Sequence, residues 1–377
     1  MENVLITGGA GFIGSKLTLS LVEKGYKVTI LDNLSAQIHG EDYMLSPLYN
    51  SIKDKVTFIR GDVRNLSDWK KAIPNQHIII HLAAETGTGQ SMYEINKYVD
   101  VNISGTSHLL DYMANEPHQI KKVVVASSRA IYGEGKYECD QHGSVFPKSR
   151  REEDMENGQF EPTCPMCTEI VSLVATDEES KVSPCSIYGI TKYNQEQMVL
   201  LACKSLGVDA CALRFQNVYG PGQSLSNPYT GILSIFSTRI LNNNPINIFE
   251  DGLESRDFVY IDDVVDATFL AMFDKSSNAT AFNIGSGKST TVSRVAQSLK
   301  EAYNSDIDIR VSGNFRIGDI RHNKADISKA KRVLNFEPKV MFEKGIGLFS
   351  DWVKNQEIQK DNYDQSIQDL KLKGLMK

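Results

Sequence analysis

Through the first half of the chain, short apolar runs alternate with amphipathic ones. Residues 3–6, 27–31, 56–60, 77–82, 122–126 and 211–215 are mostly Val, Ile and Leu, without the polar alternation of a half-wet strand. Such runs predict strands buried on both faces, as in a parallel sheet. Between them lie helix patterns, among them 12–24, closed by Gly25, then 98–115 and 188–204. The alternation predicts an α/β fold with a Rossmann-like, doubly wound parallel sheet.

Two stretches depart from this rhythm. Residues 134–183 are polar, contain Pro147, Pro162 and Pro165, and hold three of the six cysteines. They read as an insertion between a strand and the next helix. Beyond about residue 220 the pattern becomes irregular, with Pro- and Gly-marked loops and short helices. The expected organisation is a dinucleotide-binding domain over 1–220 that carries the insertion, and a smaller, partly interleaved substrate lobe over 221–350. The charged stretch 351–377 is expected to be a peripheral helix or a mobile end. No internal repeat is visible.

Composition narrows the function classes. Of 377 residues, 41% are hydrophobic and 23% charged, enough apolar material for a large core. Net charge is −6 with no basic stripe, which argues against nucleic acid as a partner. No apolar run approaches the ~18 residues of a membrane span, and the N-terminus lacks the positive region of a signal peptide. A cytoplasmic location follows as the expectation, where cysteines serve as thiols or metal ligands more often than as disulfides.

The chemistry begins at the first strand. Gly8, Gly11 and Gly14 form a turn that lets backbone approach a pyrophosphate, and Phe12 and Ile13 open a helix whose free N–H groups face the phosphates. Asp32, followed by Asn33, ends the second strand. Its carboxylate can accept both ribose hydroxyls and would repel a 2′-phosphate, so the pattern favours NAD over NADP. Further on, Tyr188 and Lys192 lie four apart on a predicted helix and share one face. An ammonium beside a phenol favours the phenolate and makes tyrosine a usable base. Ser128 ends a predicted central strand.

The order of motifs resembles the extended short-chain dehydrogenase/reductase family, in the branch acting on nucleotide-diphosphate sugars. Those motifs are the glycine turn, Gly61-Asp62-Val63, His81-Leu82-Ala83-Ala84, Asn102-x-x-Gly105-Thr106, Ser127-Ser128, Tyr188-x-x-x-Lys192, the run Asn217 to Gly222 and Arg256-Asp257-Phe258-Val259. The resemblance covers about 2–350 apart from the insertion. It implies that Asp62 and Val63 meet adenine, that Leu82, Ala83, Ala84 and Asn102 line the cofactor, and that Ser128, Tyr188 and Lys192 are catalytic, with Tyr188 and Lys192 also touching NAD. It implies Arg256, Arg316 and Asn217 as diphosphate ligands, Asp319 as the ribose ligand, and a homodimer paired through helices 98–115 and 188–204. The loop 85–91, with Thr88, is expected over the nicotinamide and the hexose. That loop, the insertion and the run Arg316 to His322 are similar to dTDP-L-rhamnose 4-epimerases.

The turn after Ser128 separates the reactions of this branch. Members that eliminate water carry Asp-Glu where this chain has Arg129 and Ala130, because they need an acid for the departing hydroxyl and a base for the neighbouring proton. Neither Arg129 nor Ala130 can do that work. A 4-epimerase that passes through a transient 4-keto sugar is therefore favoured. Dehydration, 2-epimerisation, keto-sugar reduction and a non-catalytic NAD-binding scaffold or sensor remain the alternatives. Within the insertion, Cys139-x-x-His142 and Cys164-x-x-Cys167 have the spacing of two zinc-ligand pairs. They read either as a closed structural zinc site or as unliganded thiols with a solvated histidine.

Overall fold

The computed structural model describes residues 2–229, 231–274 and 279–377. Its centre is a sheet of seven parallel strands, labelled here in chain order: β1 (Asn3–Thr7), β2 (Lys27–Asp32), β3 (Thr57–Arg60), β4 (Ile78–His81), β5 (Lys122–Ser128), β6 (Asp209–Phe215) and β7 (Thr280–Ile284). The spatial order is β7-β6-β5-β4-β1-β2-β3. Alternate residues of one strand enter different cores. Val4, Ile6, Ile30 and Ile80 pack on one side, and Leu5, Leu31, Ile79 and Val123 on the other. Both faces are apolar, so the strands show continuous hydrophobic runs.

The winding reverses between β1 and β4, and the crevice beyond their carboxyl ends is where such sheets bind ligands. Helices α1 (Phe12–Glu23) and α3 (Ile187–Leu206) line it, with α2 (Gly105–Asn115) packed against α3. Ser186 caps α3 by accepting from the Gly189 N–H at 3.1 Å, and Gly207 ends it in the left-handed conformation.

Three features differ from the periodicity. β7 comes from beyond residue 220, where an irregular pattern was expected; it is an edge strand whose Thr280 and Asn283 interrupt the apolar run. The continuous helix expected over 98–115 starts earlier, at Ile95–Val99, and opens into a π-helical turn, Asp100–Ser104, before α2. The wide turn carries Asn102, whose side chain bonds the Glu85 backbone and Thr191. The stretch from Gln356 packs down: its helix Tyr363–Leu372 buries Tyr363 and Leu370, and Arg239 pairs with Asp361 and Asp364.

A third apolar cluster, with Tyr219, Phe258, Ile261, Phe342 and Phe349, lies beside the crevice. The insertion folds as a hairpin, Tyr137–Cys139 with Gly143–Val145, joined by Ser172–Leu173. Tyr137, Cys139, Val145, Cys164 and Val171 make its small core.

Candidate active site

A cleft of about 1110 Å³ opens at the switch point. That exceeds a single drug-sized site of ~300–1,000 Å³ and leaves room for two ligands side by side. Gly8, Gly11, Gly14, Asp32, Asp62, Ala83, Thr88, Ser128, Tyr188, Lys192 and Asn217 all line it. At its floor the glycines are sterically required. Gly8 has φ +67°, and a Cβ there would lie 2.8 Å from the Ala83 nitrogen; a Cβ at Gly14 would lie 2.2 Å from the Gly8 carbonyl oxygen. No side chain caps the first turn of α1, where Phe12 and Ile13 also line the cleft. Asp32 accepts from the Ala10 N–H at 3.0 Å and the Leu34 N–H at 2.8 Å, one through each oxygen, leaving lone pairs for further donors. Asn33 donates to Asp62, which also takes a two-pronged contact from Arg64. Although burial opposes it, Arg64 and Asn33 bring the Asp62 carboxyl down to about 2.

The opposite wall carries Ser128 and Tyr188. Gly189 makes this possible: a Cβ would lie 2.5 Å from the Ala130 carbonyl, so only glycine lets α3 press against the turn after Ser128. The Tyr188 N–H donates to Ser91 at 3.0 Å, and its ring meets Tyr98 edge-on at 6.4 Å. Burial raises the Tyr188 phenol above its ordinary value, while the Ser128 hydroxyl and the Arg129 charge act to lower it.

Lys192 is buried, and burial brings its ammonium down to about 7 with Glu196 as the opposing charge. It donates to Gln195 Oε1 at 2.6 Å. Gln195 in turn donates to Thr106 at 2.9 Å, and Thr106 donates to the Asn102 carbonyl at 2.6 Å. With that proton used, Thr106 must accept from His81 Nε2 at 3.0 Å, which fixes His81 as the Nε2–H tautomer. Thr7 then donates to His81 Nδ1 at 2.7 Å. Burial and the nearby Lys192 push His81 down to about 3, so this chain behind the lysine is neutral.

Sequence reasoning placed Arg256, Arg316 and Asp319 with the substrate, yet none of the three lines the cleft among the described residues. They form an adjoining charge cluster. Arg256 donates to the carbonyls of Ser255, Ile320 and Arg321 and to Asp319 at 3.1 Å. Arg316 lies 3.3 Å from Asp319 and over the Phe249 ring. Burial notwithstanding, Arg256, Arg316, Arg129 and Arg150 hold the Asp319 carboxyl far below its usual range. Asn102 is buried behind the cleft, positioning Glu85, while Val63, at the cleft's edge, packs on Gly105.

Arg129 is the residue that sequence reasoning undervalued. It lines the cleft, and its neighbours include Tyr188, Asp319 and Arg256; burial, then the Arg256 charge, brings its guanidinium down to about 10. Nearby, the side-chain oxygens of Gln216, Asn217 and Gln223 are buried without a partner among the described residues, and all three residues face the same cleft. Orphaned acceptors of this kind await donors from a ligand. Gln195 carried a signal in its spacing, three residues after Lys192; Arg129 carried none beyond its place in the turn.

Residues 4–285 match the NAD dependent epimerase/dehydratase family. The chain belongs to that family. Its relatives include the dTDP-L-rhamnose 4-epimerase of Burkholderia thailandensis, 35% identical over 96% of this chain and 97% of that one. The solved structure of Thermotoga maritima UDP-glucose 4-epimerase with UDP-glucose superposes with a TM-score of 0.74 at 30% identity, covering 93% and 98% of the two chains. Bacillus cereus UDP-glucuronic acid 4-epimerase with UDP-glucuronic acid and NAD gives a TM-score of 0.72 at 25% identity, covering 93% and 99%. The family's NAD fits this chain: the glycine floor leaves no room for a Cβ, the first turn of α1 is uncapped, and Asp32 stands at the end of β2. Among the described residues, no helix is long and apolar enough to cross a membrane.

In the insertion, one ligand atom from each of Cys139, His142, Cys164 and Cys167 lies within 4.8 Å of the others. Cys139 Sγ is 3.5 Å from His142 Nδ1 and 3.7 Å from Cys167 Sγ, and Cys164 Sγ is 3.6 Å from His142 Nδ1.

Proposed function

We propose that this protein is an NAD-dependent nucleotide-sugar 4-epimerase, with dTDP-L-rhamnose as the first substrate to test. One observation carries the reading: Ser128, Tyr188 and Lys192 share a cleft wall, while the adjoining turn offers Arg129 and Ala130 in place of an eliminating acid and base. Gly8, Gly11, Gly14, Asp32, Asn33, Asp62 and Ala83 would hold NAD, which supplies reversible two-electron oxidation of the sugar carbon. Tyr188 takes the proton of the sugar 4-hydroxyl and later returns it. Ser128, which accepts the Ala130 N–H at 3.1 Å, holds that oxygen by donating its single hydroxyl proton to it. Lys192 balances the phenolate charge, and the chain from Gln195 to Thr7 fixes its ammonium in place. Arg129 stands where it can meet the sugar or its phosphate, with Thr88 and Asn217 on the cleft walls. The relatives' names favour this reading over a scaffold or a keto-sugar reductase.

The decisive variant is Tyr188→Phe. It should lower epimerisation at least ~1,000-fold while NAD still co-purifies, read by NMR on a panel of dTDP- and UDP-sugars. Turnover at the parent's rate would sink the scheme.

The insertion is proposed to hold one structural zinc. Tetrahedral Zn–S bonds of ~2.3 Å and Zn–N bonds of ~2.0 Å require S···S edges near ~3.8 Å and S···N edges near ~3.5 Å. The separations of 3.7, 3.5 and 3.6 Å match those edges. All four positions are filled by protein, which leaves no open site for chemistry. Metal analysis of protein purified without chelator should find one zinc per chain. The six unbridged cysteines fit a reducing cytoplasm. Exposed Ile95, Ile190 and Leu201 on the helices beside the cleft favour a homodimer, which sedimentation would test. The division at about residues 220 and 350 is kept as the working domain scheme.

A further inference from the structure

We infer that the metal-held insertion is the scaffold of the loop 316–322, so that its metal sets nucleotide-sugar affinity without touching the ligand. This rests on the zinc and nucleotide-sugar readings above. The loop's Asp319 and its partner Arg256 neighbour Arg129 on the cleft wall. The insertion reaches the loop 316–322 through three side chains. Glu161, three residues before Cys164, accepts from Arg321 at 2.6 and 2.8 Å and lies 3.1 Å from His322. Arg150 grips both oxygens of Glu250 at 2.8 Å and donates to the Asp319 carbonyl at 3.1 Å. Glu134 accepts the Arg321 N–H at 2.9 Å.

These contacts converge on one short segment. Arg321 is 0% exposed, and its carbonyl and that of Ile320 receive Arg256 from the other side. The loop carrying Arg316 and Asp319 is thus held between β-strand Ser255–Tyr260 and the insertion. A third edge comes from the last residues: Met376 bridges Arg316, and Lys377 pairs with Glu152 and Glu156 of the insertion. The knuckle itself has few means of holding its shape. Its apolar core is five residues, and the turn at Thr168 has φ +65°. A metal would join the two ligand pairs, which otherwise share that core and the Thr163–Ile170 bridge, and Glu161 leads directly into the second pair.

The experiment measures dTDP and UDP binding by calorimetry, with zinc and NAD per chain determined on the same samples. Stripping the metal with chelator should weaken nucleotide binding about tenfold or more, the scale of losing charge-assisted bonds. NAD should stay bound, and added zinc should restore affinity. Glu161→Gln keeps the metal ligands; it should raise KM by a similar factor, with kcat within about twofold and zinc unchanged. Protein that holds no metal overturns the zinc reading and this inference together. Full zinc whose removal leaves nucleotide affinity unchanged overturns this inference alone. An E161Q protein that binds like the parent, or that loses its zinc, overturns Glu161 as the relay.

Discussion

At the dinucleotide end of the cleft, Asp32 is held by Leu34, two positions away, and by Ala10, 22 away. At the adjoining end, beside the cleft, Arg321 reaches Glu161 across 160 positions and Glu134 across 187, while Arg150 reaches Glu250 across 100. The first end is mostly backbone and glycine, where shape is set by which atoms are missing. The second is a buried network of arginines and carboxylates, where shape is set by charge pairing in a place with little water. A local backbone cradle can serve one invariant ligand. A network assembled from distant segments can be altered at any of them.

The largest expected effect strikes the first end alone. Gly14→Val places side-chain atoms onto the Gly8 carbonyl and should abolish NAD retention, at least ~100-fold in affinity, with the fold kept. If nucleotide-sugar binding fell as far as NAD binding, the two ends would not be separable.

Arg321→Met strikes the second end. Removing a fully buried cation leaves Asp251 without its partner, while Glu250 keeps Arg150, and should cost about 3 kcal/mol in denaturant unfolding. NAD should still co-purify, and a variant as stable as the parent would mean that the network adds nothing to the fold.

Between the ends, Lys192→Met should lower kcat about 100-fold at pH 7. The sign of the pH effect follows from burial. The Lys192 ammonium is disfavoured and releases its proton near pH 7, well before a tyrosine would alone. The Tyr188 phenol is raised by burial and lowered by the nearby Arg129, and Lys192 can lower it only while charged. The parent's kcat/KM should therefore rise with pH as the phenol loses its proton, and in the variant that limb should move upward. Arg129→Met should move the same limb in the same direction by less than about one unit. A profile unchanged by either substitution would remove both cations from the chemistry.

Much of the dinucleotide end was legible without coordinates. The glycine turn, Asp32 and the Tyr188–Lys192 pair depend on neighbours within one strand-turn-helix or one helical turn, and spacing encodes such neighbours directly. The Cys139–His142 and Cys164–Cys167 pairs were visible for the same reason, although spacing could not say that the two pairs meet. Arg129 was legible only as something absent, an acid that is not there. Its position as a cation beside Tyr188 depends on α3 closing over the turn at Gly189, a contact between segments some 60 positions apart.

By itself, then, the sequence determined the parallel strands, the cofactor cradle and the catalytic spacing, because each is a property of a short stretch of chain. The tertiary structure alone decided three other things: that Arg256, Arg316 and Asp319 form a cluster beside the cleft, that the insertion grips their loop, and that the last residues pin Arg316. Those outcomes depend on which charges become buried together. Burial is a property of the packed molecule, and hydrophobic periodicity carries no record of which distant partner a buried arginine will find.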